Sequence, residues 1–143
     1  MEVIRATKTW QIAAAYYARI EAMVKGFNVP LDVEFDEKDT PDTKYVVVLD
    51  DGMPVANCRI IEVDEETAKI ERVSVVTTSR KKGIGRILIE GAEKWITELG
   101  YKKIIITSRD EAVGFYEKLG YKADYNKADS SGIFTCIYTE KLL

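Results

Sequence analysis

Residues 77 to 86 read Thr-Thr-Ser-Arg-Lys-Lys-Gly-Ile-Gly-Arg, and the chemistry these residue types suit is anion binding. Gly83 and Gly85 remove side chains where a ligand must approach the backbone. The helical spacing that follows begins at Ile84, and the first N–H groups of a helix have no intrahelical partner, so they point outwards as an anion site. Arg80, Lys81, Lys82 and Arg86 add four positive charges over seven residues. Together these make a diphosphate-binding turn. It is not a P-loop, because the Gly-Lys-Ser/Thr ending is missing, and Leu88 stands where a dinucleotide fingerprint needs its third glycine. Two glycines at this spacing arise by chance in about one window in 200. The plainer alternative is a solvated basic turn with a glycine-permitted helix start. Position between a strand and an amphipathic helix gives the turn its weight.

Acid–base chemistry is confined by an absence. The chain has no histidine, which excludes Ser-His-Asp and Cys-His triads and His-ligated metals. Proton transfer falls to Glu, Asp, Tyr, Lys or water. Cys58 and Cys136 are too few and too far apart for a disulfide framework or a zinc site, so no metal is expected. Twenty-one basic against 24 acidic residues leave a net charge of −3, which argues against nucleic-acid and anionic-membrane partners.

The elements that must position this turn follow from periodicity. At 143 residues with 46% hydrophobic and 31% charged composition, the chain has the size and make-up of one globular domain. No stretch approaches the ~18 apolar residues of a membrane span, and the start lacks a secretory layout, so a cytoplasmic protein is expected. Val3 to Ala6 reads as a strand, and Trp10 to Phe27 as a helix ended by Gly26. Residues 28 to 43 read as a loop with one helical turn, their acidic run a solvated face. Strands at 45–49, 55–63 and 69–76, joined by tight turns including Asp51-Gly52, form an antiparallel meander. A helix from Ile84 to Leu99 and an apolar strand at 103–107 complete a βαβ unit whose strands are parallel. A short helix from Glu111 to Leu119 and a closing strand from Gly132 to Lys141 follow. The fold class is α/β (α+β), with a central mixed, mostly antiparallel sheet flanked by helices.

Two segments carry a resemblance. Arg72 to Arg86, Arg-Val-Ser-Val-Val-x-x-Ser-Arg-Lys-Lys-Gly-Ile-Gly-Arg, resembles motif A of the GNAT superfamily of acetyl-CoA-dependent N-acetyltransferases. Ala112 to Tyr121, Ala-Val-Gly-Phe-Tyr-Glu-Lys-Leu-Gly-Tyr, is similar to its motif B. The order of strands and helices fits over nearly the whole chain, and Asn28-Val29-Pro30-Leu31 with Glu34 to Asp39 resembles the ElaA-like branch.

The resemblance implies a single GNAT domain over residues 1–143, with a splayed parallel strand pair. It implies acetyl-CoA as cosubstrate, bound by Val73, Ser74 and Val75 and by the loop Arg80, Lys81, Lys82, Gly83, Ile84, Gly85 and Arg86. A backbone N–H near Val75 would polarise the thioester carbonyl. Tyr116 matches the motif B tyrosine that protonates the departing thiolate. Glu71, two residues before Val73 and so on the same strand face, is the candidate base, with pairing to Arg59 or Arg72 as its structural alternative. Arg109 stands where many relatives carry Asn or Gln and is counted among the cofactor contacts. No histidine occurs at Ile133-Phe134-Thr135, where ElaA-like chains often carry one. The expected activity is N-acetylation of a small-molecule or peptide amine, by direct attack in a ternary complex. Homodimers are common in the family. A non-catalytic CoA sensor and an anion-binding interaction module are the alternatives.

Overall fold

The computed structural model describes residues 1–79 and 82–143. Seven strands form one sheet in the order β1-β2-β3-β4-β5-β7-β6. The meander β2 (Lys44–Asp50), β3 (Met53–Asp64) and β4 (Thr67–Val75) is antiparallel, and β1 (Glu2–Arg5) adds to its β2 edge. The 15-residue helix α3 (Ile84–Glu98) carries the chain to β5 (Lys103–Arg109), which pairs with β4 in parallel. The structure therefore agrees with the expected meander and βαβ unit.

Alternation along the strands separates two layers. Cys58 and Ile60 of β3, Ile70 of β4 and Ile104 and Ile106 of β5 pack with α3 residues Ile84, Leu88, Ile89, Ala92 and Ile96. Tyr116 of α4 (Val113–Lys118) joins this core. On the opposite face, Tyr45, Val47 and Leu49 pack with Ala14 and Ala15 of α1 (Thr9–Arg19). The helix expected through residue 27 leaves α-geometry early: Ile20–Val24 form a π turn. Gly26 follows because a Cβ there would lie 2.2 Å from the Ala22 carbonyl oxygen.

Two parts of the chain depart from the expected reading. Strand β6 (Lys122–Asp129) was not anticipated, because Lys122, Asp124, Asn126, Lys127 and Asp129 give it no apolar stripe. Among the described residues it is an edge strand, paired only with β7 (Cys136–Leu142), and an edge tolerates such polarity. The acidic stretch is not a solvated charge run either. After α2 (Leu31–Glu34), Glu34, Asp36 and Asp39 turn inward onto three arginines.

Candidate active site

The parallel pairing of β4 with β5 stops early. Its register runs from Thr67↔Lys103 to Lys69↔Ile105, although β4 continues to Val75 and β5 to Arg109. Beyond that point the strands diverge, and a cavity of about 790 Å³ opens between them. Ile70 to Val75 line one side, Ile106 to Arg109 the other, with Gly83 to Arg86, Phe115 and Tyr116 at one end. The structure thus brings together most of the residues singled out above. Lys82 is exposed beside them, while Arg80 and Lys81 lie outside the described residues.

A bulge in β4 shapes the divide. Asn57↔Ser74 and Arg59↔Glu71 leave two steps on β3 against three on β4, and Arg72 takes φ 53° to absorb the extra residue. This breaks the alternation assumed for Glu71 and Val73. Glu71 lies opposite Arg59, on the α1/α2 face, whereas Val73 and Val75 pack against the α3/α4 core. The expectation that Glu71 and Val73 share a face is therefore corrected: the bulge inserts half a period between them. Asn57 braces the bulge through Nδ2, which donates to the Arg72 carbonyl at 3.3 Å.

On the α3/α4 side the glycines act for two separate reasons. Gly83 caps α3 with φ 74°, a left-handed conformation that disfavours a side chain. Gly85 instead makes room for protein: a Cβ there would sit 3.2 Å from the Phe115 ring. The reading that both glycines clear space for a ligand is thus revised for Gly85. Arg86 lines the cavity, but its Nε donates to Glu90 at 2.7 Å, so part of its charge is already paired.

Tyr116 sits at the bottom of this half and is buried. The helix carrying it ends in a Schellman arrangement: Tyr121 N–H donates to the Tyr116 carbonyl and Gly120 N–H to that of Glu117, with Gly120 at φ 96°. Tyr121 is tied in turn to Glu93 of α3 at 2.8 Å. The last five residues of motif B are thereby explained as the clamp that orients this tyrosine. Among the described residues its hydroxyl has no hydrogen-bond partner. Burial, with Cys58 nearby, pushes its pKa well above the ordinary tyrosine value, against a smaller lowering by Arg109. Tyr116 is held as a neutral phenol, the form that donates a proton.

The α1/α2 side is ionic. Arg19 is fully buried and donates through Nε to Glu34 at 2.9 Å and through Nη1 and Nη2 to Asp39 at 2.6 and 3.0 Å. Tyr45 donates to the same Asp39 carboxylate at 2.6 Å. Burial would raise the Asp39 pKa, but the bonds from Arg19 and Tyr45 outweigh it and hold the carboxyl far below the usual range. Arg59 bridges Asp36 and Glu71 at 2.8 and 3.2 Å, and Arg72 reaches Asp36 at 3.0 Å. Glu71 lies 3.6 Å from both Lys38 and Lys69. Its structural alternative, pairing with Arg59, is thus realised even as it lines the cavity. None of Arg19, Asp39 or Tyr45 was singled out from the sequence, and their separations of 6 to 20 residues explain why.

The comparisons with known proteins bear on the family and the fold. The acetyltransferase (GNAT) family model matches residues 9–121. The uncharacterized N-acetyltransferase YjcF of Bacillus subtilis is 33% identical over 122 residues, 85% of this chain and 86% of that one. A crystal structure of a provisionally assigned N-acetyltransferase from Lactobacillus plantarum superposes with a TM-score of 0.91 at 30% identity, covering 99% of this chain and 97% of the other. Escherichia coli ElaA shares the fold, with a TM-score of 0.84 at 20% identity and 98% of each chain covered. With the family model matching most of its length and a relative 33% identical over 85% of it, this chain belongs to the GNAT family of acetyltransferases.

Proposed function

We propose that the protein acetylates a primary amine of a small molecule or peptide with acetyl-CoA, the two substrates meeting through the gap between β4 and β5. The observation that carries this reading is the two-faced cavity. Helix α3 and Tyr116 close it on one side, and Glu71 and Arg109 face it from the other. Pantetheine runs along the β4 backbone at Val73 to Val75, and the diphosphate lies over the start of α3.

In this account the amine enters from the α1/α2 side and its nitrogen attacks the thioester carbon. The β4 backbone near Val75 supplies the polarising N–H to the carbonyl oxygen. Before attack Glu71 takes a proton from the substrate ammonium through water, using the carboxylate oxygen that Arg59 does not hold, because a protonated nitrogen has no lone pair. As the carbon–sulfur bond breaks, Tyr116 gives its proton to the departing thiolate, and the extra proton on the newly bonded nitrogen passes through water to restore the phenol. The products are the amide and free CoA thiol.

Steady-state turnover followed by thiol release tests the assignment. Tyr116→Phe keeps the ring and removes only the proton. The expected result is a kcat about 100-fold lower at unchanged acetyl-CoA affinity. Full turnover in that variant contradicts the acid role, and absence of acetyl-CoA binding in folded wild type contradicts the function itself.

A further inference from the structure

Arg109 ends β5, and alternation places it on the face opposite Ile104, Ile106 and Ser108, the side of α1 and α2 rather than that of α3 and Tyr116. There two aromatic rings hold its guanidinium. Phe27, just after the π turn, lies 4.7 Å from it and Phe134, in the β6–β7 connection, 5.0 Å. The two rings meet edge-on at 5.7 Å. Aromatic faces fix a guanidinium in space but leave its N–H edge unsatisfied. Its Nη1 is buried without a hydrogen bond, and an acidic side chain already approaches it: Glu111 Oε1 lies 3.0 Å away, out of hydrogen-bonding alignment. Glu111 itself is solvent-exposed. A buried guanidinium nitrogen without a hydrogen bond thus borders the cavity, ion-paired to a solvent-exposed carboxylate that an incoming one could replace.

We infer that Arg109, expected among the cofactor contacts, serves the acceptor instead: it is a specificity-determining residue, and the acceptor is an amine that also bears a carboxylate, an amino acid or a compound built like one. The inference rests on the N-acetyltransferase reading and narrows its substrate class. Glu71 and Arg109 stand on the two strands that border the gap. A zwitterion spanning the gap meets a carboxylate at its amine end and a guanidinium at its acid end. Glu111 pairs with Arg109 when no acceptor is bound and yields to it.

The test is a panel of the common amino acids, each paired with its own amide, assayed by thiol release at saturating acetyl-CoA. The amide differs from the acid only in the charge that Arg109 reads. The expected result is that the preferred acids exceed their amides in kcat/KM by roughly 10- to 100-fold. Arg109→Gln brings that ratio close to one while acetyl-CoA binding, measured by calorimetry, stays at the wild-type value. Glu111→Gln, a change at an exposed position, lowers KM for the acids and leaves the amides unmoved. The inference is overturned if no acid in the panel outpaces its amide, a panel with no turnover included. It is equally overturned if Arg109→Gln weakens acetyl-CoA binding and leaves the ratio intact. Loss of acetyl-CoA binding in the wild type is a different failure, that of the acetyltransferase reading.

Discussion

The two faces of the cavity are built by different physics. The α3/α4 half is apolar and local: a glycine-capped helix, a ring filling the space over Gly85, and a tyrosine oriented by the end of its own short helix. The α1/α2 half is ionic and long-range, with Arg19, Arg59 and Arg72 clasping Glu34, Asp36, Asp39 and Glu71 across separations of 12 to 38 residues. The proposed reaction assigns the first half to the cosubstrate and the second to the acceptor, whose wall includes a loop that must be tied down. Buried ion pairs tie it, since removing one partner strands the other without solvent.

That difference can be broken at graded cost. The largest expected effect is Arg19→Met. It leaves Glu34 and Asp39 without their main partner and lowers unfolding free energy by about 3–5 kcal/mol, measurable by urea titration. Tyr116→Phe acts on the other half: kcat falls about 100-fold, while the midpoint of unfolding is expected to move little, because among the described residues the hydroxyl makes no hydrogen bond. Acid separates the halves next. The pKa values of Asp36 and Asp39 are lowered in the fold, because bonds from Arg59 and Arg19 outweigh the upward push of burial. A depressed carboxylate contributes stability that is complete above its unfolded value and lost as pH falls through the folded one. With no histidine to titrate, the thermal midpoint should be flat from about pH 6 to 8 and fall below about pH 4. A drop centred near pH 6 would contradict the clasp as the acid-sensitive element. The smallest effect is Glu90→Gln. The Arg86–Glu90 pair is exposed, so stability should change by less than about 0.5 kcal/mol.

The same contrast explains how much was legible beforehand. Motif A and motif B are contiguous stretches, and their strand–turn–helix context shows as a change of hydrophobic period. The elements of the α3/α4 half, from Gly83 to Tyr116, could therefore be placed in advance. The clasp could not. Arg19 sits in a helix where a charge ordinarily faces solvent, and the run from Asp32 to Asp39 has the composition of a solvated loop. Only the fold brings them together. The bulge at Arg72 was hidden for another reason: nothing in Glu-Arg-Val-Ser marks an arginine that adopts positive φ. The period-2 argument thus placed Glu71 on the wrong face, though on the right strand. Strand β6 was missed because an edge strand needs no apolar stripe.

The central claim is that one face of the gap receives acetyl-CoA and the other the acceptor. Calorimetric titration with acetyl-CoA, with ATP as comparison, tests it most directly when wild type is set beside one variant from each face. The account predicts micromolar binding of acetyl-CoA over ATP, lost when Lys82→Glu and Gly83→Glu are combined and unchanged in Arg109→Gln. Equal loss in both variants, or no binding by the folded wild-type protein, would contradict it.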